Sequence, residues 1–249
     1  MSDGNEVAAA GALSAPRVSA ASAAAAGFPV SAAMNAAPTP GSVLDLDAAP
    51  LVGVLAIQGD VAEHLAALAA AGARGRRVRR PPDLEGLDGL ILPGGESTTI
   101  GILGREVGLL QGIRDAVASG LPVWGTCAGL ILLARDLGRD QPLIGGLDIR
   151  VERNAFGRQV DSFEVDLELP FLPGGPFRAI FIRAPLVMEA GPEVEVLGRL
   201  ADGGIVAVRQ GRLLGSSFHP ELSDDTRLHR SFVSLCLESR AGRLPAGLR

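Results

Sequence analysis

Apolar residues cluster in short runs after residue 50, and each early run precedes a stretch with helical spacing. The run over residues 51–57 predicts a buried strand, and the Ala- and Leu-rich stretch over residues 61–71 predicts a helix. The same pair of signals returns twice, as strands over residues 89–92 and 121–124 followed by helices from about Thr98 and over residues 130–134. Repeated strand–helix units favour a parallel sheet covered by helices.

The second half of the chain carries mostly strand signals before one closing helix. Strands are predicted over residues 159–169, 179–182, 194–200, 205–209 and 213–218, and the helix over about residues 226–239. We therefore expect one α/β domain over residues 51–240, with a mixed sheet. The sequence shows no internal repeat and no apolar run of transmembrane length.

Residues 1–50 differ in composition from the rest of the chain, because Ala, Ser, Gly and Pro dominate them. With few large apolar side chains, this segment has little to offset the entropy cost of ordering, so we predict a disordered extension. A secretory signal is the alternative, but it needs a basic start, and Arg17 is the only basic residue here. Met34 offers an alternative start. Residues 241–249 are predicted to form a C-terminal tail.

The composition excludes several kinds of chemistry. All 23 basic side chains are Arg, and a chain without Lys can form neither the phosphate-binding P-loop nor a Schiff base. The 28 acidic side chains leave a formal net charge of -5, which gives no general attraction for nucleic acid or an anionic membrane. The two cysteines, Cys127 and Cys236, are far apart in sequence, which fits a reducing, cytoplasmic setting without a disulfide framework or thiolate zinc site.

Small and polar residues follow four of the predicted strands. Active sites of open α/β sheets gather at the carboxyl ends of strands, so these segments are the candidates for chemistry. They are Gln58-Gly59, Pro93-Gly94-Gly95-Glu96-Ser97, Gly125-Thr126-Cys127-Ala128-Gly129 and His219-Pro220-Glu221.

The segment around Cys127 has the form of a nucleophile elbow, with a glycine two residues before and two residues after the cysteine. Such a turn presents the thiol to a cleft at a helix N-terminus, where backbone N–H groups favour the thiolate. The N–H of Ala128 can face a developing oxyanion. A buried, inert cysteine in a tight turn is the alternative, and this segment alone does not decide between them.

His219 is the candidate base, because it follows a predicted strand and Glu221 is placed to orient its imidazole. The other two histidines, His64 and His229, fall within predicted helices, where we expect surface or packing roles. Cys236 lies among apolar residues of the last predicted helix, where we expect a core position.

Gly94 and Gly95 follow another strand, as an oxyanion loop would, although an ordinary strand-to-helix turn has the same pattern. Beside a Cys–His–Glu set they become candidates for a second oxyanion donor or a substrate contact. A cysteine nucleophile, a histidine base and oxyanion donors together specify acyl transfer, so the residues predict cysteine-dependent amide hydrolysis.

Longer strings of sequence carry a family resemblance. The chain resembles the PdxT family, glutaminase subunits of pyridoxal 5'-phosphate synthase and members of the class I glutamine amidotransferases. The resemblance covers about residues 51–240. It rests on the strings GVLAIQG (53–59), LPGGESTT (92–99), GTCAGL (125–130), VERNAFGRQVDSF (151–163) and FHPEL (218–222).

The resemblance implies a flavodoxin-like three-layer sandwich around a mixed, mostly parallel sheet. It also implies a Cys–His–Glu triad, with Cys127 as nucleophile, His219 as base and acid, and Glu221 as the residue that orients His219. The implied oxyanion donors are Gly95 and Ala128, and the implied glutamine-binding residues are Gly95, Glu96, Ser97, Arg153, Ile182 and Arg183. The resemblance implies no metal and no cofactor.

The resemblance also implies a partner. Ammonia released from L-glutamine would pass to a PdxS-type synthase subunit, which makes pyridoxal 5'-phosphate from ribose 5-phosphate and glyceraldehyde 3-phosphate, in an assembly of twelve synthase and twelve glutaminase subunits. Two alternatives stay open at this point: a glutaminase that serves another pathway, such as imidazole glycerol phosphate or purine synthesis, and a non-catalytic module that regulates a partner.

Overall fold

The computed structural model describes residues 49–153 and 162–243. Its strands are β1 (Leu51–Leu55), β2 (Arg74–Val78), β3 (Gly89–Leu92), β4 (Val123–Thr126), β5 (Ala134–Asp136), β6 (Leu147–Glu152), β7 (Ser162–Leu167), β8 (Phe177–Ile182), β9 (Leu186–Ala190), β10 (Glu195–Arg199), β11 (Ile205–Gln210) and β12 (Leu213–Ser216). Its helices are α1 (Val61–Ala70), α2 (Ser97–Glu106), α3 (Leu109–Ala118), α4 (Ala128–Leu133) and α5 (Arg227–Arg243).

The main sheet is mixed and largely parallel, as predicted. Along its path the order is β2-β1-β3-β4-β12-β11-β9-β6-β5, and β10 pairs with β11 at the side. Strands β2, β1, β3, β4 and β12 are parallel to one another, whereas the β12–β11, β11–β9 and β9–β6 pairs are antiparallel. Strands β7 and β8 form a separate antiparallel pair. The parallel half therefore brings the carboxyl ends of β1, β3, β4 and β12 to one edge.

Apolar side chains cover both faces of this sheet. Along the central strands they alternate in direction, so Leu90 joins the core on one face and Ile91 joins the core on the other. Helices α2, α3 and α4 contribute to the first core, while α1, α5 and the β7–β8 pair contribute to the second. This arrangement confirms the α/β class and the helix–sheet–helix layering.

The sequence pattern located most of the central strands and missed several other elements. The strand predicted over residues 89–92 matches β3, and the predicted first helix matches α1 to within one residue. Strands β2, β5, β6 and β9 and helix α3 were not predicted. Strand β2 is the clearest case: it lies at the edge of the sheet, consists of Arg-Gly-Arg-Arg-Val, and buries only Val78. An edge strand with one buried side chain has no apolar run to reveal it.

The predicted terminal segments fall largely outside the described residues. The extension over residues 1–50 is described only at Ala49 and Pro50, and the predicted tail only over residues 241–243. Helix α5 runs to Arg243, four residues past the end predicted for it. Within the described residues, the helices are all too short or too polar to cross a membrane.

Candidate active site

Cys127 occupies a tight turn between β4 and α4. Its backbone has φ 47° and ψ -100°, a left-handed conformation that residues with a Cβ seldom adopt. A Cβ on Gly125 would lie 2.4 Å from the carbonyl of Gly129, and a Cβ on Gly129 would lie 1.9 Å from the carbonyl oxygen of Leu92. Both glycines are therefore required for strand, turn and helix to approach this closely, and the turn is the predicted elbow.

The sheet brings Cys127 and His219 together because they follow adjacent strands. Strand β12 pairs in parallel with β4, so both strands end at the same edge. The N–H of Cys127 donates to the carbonyl of Ser216, the last residue of β12, at 2.8 Å. His219 lies three residues further on, where its N–H donates to Ile180 of β8, also at 2.8 Å. The two side chains therefore lie at neighbouring positions on the sheet edge.

Two carboxylates converge on one nitrogen of His219. Its Nδ1 lies 2.8 Å from Oε1 of Glu221 and 3.2 Å from Oδ2 of Asp60. Since carboxylates only accept hydrogen bonds, Nδ1 carries the proton, which leaves Nε2 to exchange a proton with a nucleophile. The sequence singled out Glu221 but missed Asp60, although Asp60 directly follows the Gln58-Gly59 segment.

The surroundings of His219 favour its charged form. Burial lowers the pKa of His219, but hydrogen bonds with Asp60, Cys127 and Glu221 outweigh burial and raise this pKa well above its usual range. Burial raises the pKa of Glu221, while its hydrogen bond with His219 opposes that shift. The hydrogen bond with His219 also holds the pKa of the half-exposed Asp60 below its usual value. The site is therefore built to stabilise an imidazolium beside the cysteine.

A cleft of about 320 Å³ opens in front of Cys127 and His219. Except for Glu221, which lies buried behind His219, every residue of the implied triad, oxyanion donors and glutamine-binding set lines this cleft. Gly94, the other candidate of the glycine loop, does not line it. The lining residues are Gln58, Asp60, Gly95, Glu96, Ser97, Cys127, Ala128, Ile131, Arg153, Ile182, Arg183, His219 and Leu222.

Glu96 and Arg153 form one wall of the cleft as an ion pair. Arg153 Nη2 donates to Glu96 Oε1 at 2.7 Å, and Arg153 Nη1 donates to the side-chain hydroxyl of Thr98 at 3.0 Å. The Glu96 carboxylate also caps helix α2, accepting from the backbone N–H groups of Thr98 at 3.2 Å and Thr99 at 2.7 Å. Both charged side chains are therefore paired with groups of the protein itself. The rest of the sequence motif around Arg153, residues 154–161, lies outside the described residues.

The remaining predicted residues line the same cleft as Cys127. The carbonyl oxygen of Ile182 is 3.9 Å from Cys127 Sγ, and the exposed Arg183 next to it has a positive φ of 44°. Ser97 is buried at the first turn of α2, and its hydroxyl donates to Gln141 at 3.4 Å. Ala128 is buried at the start of α4.

The two glycines of the loop after β3 are needed for different reasons. A Cβ on Gly94 would lie 2.4 Å from Cε1 of His219, so Gly94 is required for close approach to the imidazole. Gly95 has φ 140°, which disfavours any other residue, while a Cβ there would meet its neighbours at 3.4 Å or more. Gly94 therefore makes room for His219, and Gly95 sets the course of the backbone.

Among the described residues, one group has donor atoms spaced as metal ligands could be, namely Asp60, His219 and Glu221, whose atoms lie within 4.8 Å of one another. A metal on Nδ1 of His219 would have to displace the proton that both carboxylates accept. We therefore interpret the group as a hydrogen-bonded cluster.

Of the surface or packing roles expected for the other two histidines, the structure excludes the surface role. His64 and His229 are both fully buried. Nor are they purely packing residues, because their ring nitrogens face each other at 3.0 Å. Sequence spacing could not indicate this contact, since it joins residues 165 positions apart. Cys236 lies in the core, as predicted.

The Glu96 cap predicts how stability depends on pH. Burial raises the pKa of Glu96, but hydrogen bonds from Thr99, Thr98 and Arg153 outweigh it and lower this pKa from 4.5 to about 2. Because the folded-state pKa is the lower one, the stabilisation is complete above the unfolded-state pKa and is lost as the pH falls toward the folded-state value. In urea unfolding, the stability difference between the protein and Glu96→Gln should be constant above about pH 6 and shrink below about pH 4.5.

Glu63→Gln, which removes an exposed charge on α1, is the control for net charge. A wild-type advantage over Glu96→Gln that stays constant down to about pH 3 would contradict the assignment of Glu96 as an ionised cap.

Comparison with known proteins places these features in a family. The sequence profile of the SNO glutamine amidotransferase family matches residues 54–238. A protein of Parafrankia sp. (strain EAN1pec), named pyridoxal 5'-phosphate synthase subunit PdxT, is 62% identical over 190 residues, covering 75% of this chain and 93% of the relative. The subunit of the same name from Frankia alni is 59% identical over 197 residues, covering 78% and 98%.

Solved structures agree with the sequence relatives. A crystal structure of a glutamine amidotransferase aligns with a TM-score of 0.71 at 54% identity, covering 74% of this chain and 98% of that one. The structure of PurLQS from Thermotoga maritima aligns with a TM-score of 0.55 at 20% identity, covering 79% and 100%, and shows a shared fold only. On the family match and the identity to these relatives, this chain belongs to the SNO glutamine amidotransferase family.

Proposed function

We propose that this chain is the glutaminase subunit of a pyridoxal 5'-phosphate synthase, hydrolysing L-glutamine to L-glutamate and ammonia for a synthase subunit. The observation that carries the proposal is that Cys127 and His219 line one cleft, with Glu221 hydrogen-bonded behind His219. The identity of 59–62% to proteins named as that subunit supports the assignment to this synthase. The synthase subunit would use the ammonia to make pyridoxal 5'-phosphate from ribose 5-phosphate and glyceraldehyde 3-phosphate.

The first half of the proposed reaction forms a thioester. His219 Nε2 takes the proton of Cys127, and the thiolate attacks the side-chain amide carbonyl of glutamine. The negative charge that develops on the carbonyl oxygen would be met by the N–H groups of Ala128 and Gly95. His219 then gives its proton to the leaving nitrogen, so the C–N bond breaks and ammonia departs. Glu221 holds Nδ1–H throughout and stabilises the imidazolium.

The second half returns the enzyme to its starting state. A water molecule gives one proton to His219 Nε2 as its oxygen attacks the thioester carbonyl. Collapse of this intermediate breaks the C–S bond, releases glutamate, and lets His219 return the proton to the sulfur of Cys127. No group other than the cleft residues, glutamine and water is needed for this balance.

The cleft wall supplies the proposed recognition of glutamine. Gly95, Glu96, Ser97 and Ile182 would contact the substrate through the loops that begin α2 and follow β8. Arg153 is committed to Glu96 and Thr98, so we assign it to shaping the wall rather than to a free ion pair with substrate. Arg183 at the rim is the guanidinium that would face the carboxylate of glutamine.

The absence of Lys supports a division of labour with a partner. Synthase chemistry that runs through lysine imines cannot occur on this chain, so it would reside on the synthase subunit. The expected assembly holds twelve synthase and twelve glutaminase subunits. A glutaminase of another pathway and a non-catalytic module are the competing functions. An intact Cys127, His219 and Glu221 favours a catalyst over the module.

Docking of the partner is expected to act on the Gly94–Gly95 peptide. Two adjacent glycines change φ and ψ with little penalty, and Gly95 already sits at φ 140° beside the cleft. We infer that reorientation of this peptide completes the oxyanion site, which would make hydrolysis depend on the synthase.

The direct test of the proposed function is the release of ammonia and glutamate from glutamine, with and without the matching synthase subunit. Activity should rise when the synthase is added, and Cys127→Ala should abolish it because no other described thiol lines the cleft. His219→Asn should also abolish turnover while partner binding persists.

The outcomes separate the competing functions. Activity that ignores the synthase would keep the glutaminase chemistry and remove the pathway assignment. A chain that binds the synthase but never releases ammonia would be a regulatory module.

The proposed role of Gly95 gives a second prediction. Gly95→Ala should lower the turnover number of the complex by about 100-fold or more, the usual loss for one oxyanion donor, because alanine disfavours φ 140°. Gly203→Ala is the matched control: Gly203 also has a positive φ of 90°, has open space around it and does not line the cleft. Equal turnover in the two variants would contradict a role for the Gly95 peptide.

A further inference from the structure

A closed polar cluster lies in the core behind Glu221, away from the cleft. It consists of His64 on α1, His229 on α5 and Thr126 at the end of β4, all fully buried. His64 Nδ1 lies 3.0 Å from His229 Nε2, while His64 Nε2 lies 3.2 Å from Thr126 Oγ1 and 3.3 Å from Glu221 Oε2. One imidazole therefore touches the elbow strand, the carboxylate behind His219 and a second imidazole.

The charges of the neighbours decide which nitrogens carry protons. A carboxylate oxygen faces Nε2 of His64, and two lone pairs in a buried space would repel each other, so Nε2 carries the proton. Nδ1 of His64 then accepts, so Nε2 of His229 is the donor. Nδ1 of His229 has no hydrogen-bond partner among the described residues, which suits a nitrogen without a proton. The protons thus point in one direction, from His229 through His64 to Thr126 Oγ1, the hydrogen-bond partner of Nε2 at 3.2 Å, and to Glu221 Oε2 beside it at 3.3 Å.

The contact with Glu221 matters because this carboxylate oxygen lacks another partner. Glu221 Oε1 accepts from His219, whereas Oε2 is buried and has no well-aligned hydrogen bond from any described residue. The N–H of His64 at 3.3 Å is the donor that faces it, at a distance longer than a standard hydrogen bond. A buried carboxylate oxygen without a donor is costly, so even a loose N–H contact favours one orientation of the carboxylate.

His64 and His229 are both uncharged at neutral pH. Burial lowers the pKa of His64 well below its usual range, and charge on His229 or His219 lowers it further. Burial also lowers the pKa of His229 to about 4. His64 therefore offers Glu221 a neutral N–H group, and the positive charge that balances the carboxylate comes from His219.

We propose that His64 is a positioning residue, which, with its proton placement fixed by His229, holds the Glu221 carboxylate and through it the imidazole of His219. This inference rests on the proposed glutaminase function, because it assigns a residue to that same site. The alternative is that His64 only fills space beside Trp124, whose ring centroid lies 6.2 Å away in an edge-on contact. The two roles differ in whether an N–H at this position is needed.

The test compares two side chains of similar length at position 64 in the complex with the synthase. His64→Gln keeps an N–H donor, whereas His64→Met has none. We expect His64→Met to lower kcat by about tenfold or more with little change in KM for glutamine, since a misplaced base loses part of its usual 10²–10⁴-fold contribution. His64→Gln should recover most of that loss. Equal kcat for the two variants would overturn the proposal, as would a loss confined to KM.

A second readout does not depend on glutamine hydrolysis. The rate at which iodoacetamide alkylates Cys127 in the chain alone reports the pairing of the thiol with His219, so it tests positioning even where no ammonia is released. This rate should fall in His64→Met and stay close to that of the unaltered chain in His64→Gln. Equal rates in both variants would again assign His64 to packing, without bearing on the proposed function.

Two further experiments keep the test decisive. Should His64→Met fail to fold, His229→Gln and His229→Met pose the same comparison one step back, because His229 donates to His64. In a background of Glu221→Gln, the alkylation rates of His64→Met and His64→Gln should become equal, since the residue through which His64 acts has changed. A difference of unchanged size in that background would overturn the proposal.

Discussion

The close approach of strand, turn and helix at Cys127 is the constraint on which the site depends. The left-handed backbone of Cys127 and the glycines on either side of it allow α4 to begin against β3 and β4. The same turn hydrogen-bonds to the end of β12, the strand that leads to His219. A larger side chain at Gly129 would push into the backbone of β3, so it would move Cys127, the proposed nucleophile, relative to His219, the proposed base.

The two carboxylates beside His219 differ in how deeply they are buried. Glu221 is buried and fixes the imidazole, while Asp60 is half exposed at the cleft and shares the same Nδ1–H. Both carboxylates favour the imidazolium, which opposes the effect of burial on the ring. Behind them, neutral His64 and His229 fill the core without adding charge. The two carboxylates thus favour the charged form of the imidazole beside Cys127, inside a largely apolar domain.

The sequence predicted the parts of the site that are local along the chain. The elbow around Cys127 and the His219–Glu221 spacing follow from nearby residues, and the apolar runs placed the strands that carry them. Contacts across the fold left no such pattern: Asp60 reaches His219 from the N-terminus of α1, and His64 meets Glu221 from within the same helix. Strand β2 was missed because its side chains are mostly exposed arginines. The sequence therefore did not predict contacts between residues that are distant along the chain, because only the packing of the fold brings those residues together.

The most direct test of the account is covalent labelling of the complex with a diazoketone analogue of glutamine, followed by mass spectrometry. Cys236 is an internal control, since it is a buried thiol in the same chain that does not line the cleft. The account predicts one label per chain, on Cys127, formed more slowly when glutamine is present. No label on Cys127 in the presence of the synthase, or equal labelling of Cys236, would contradict the claim that this cleft binds and hydrolyses glutamine.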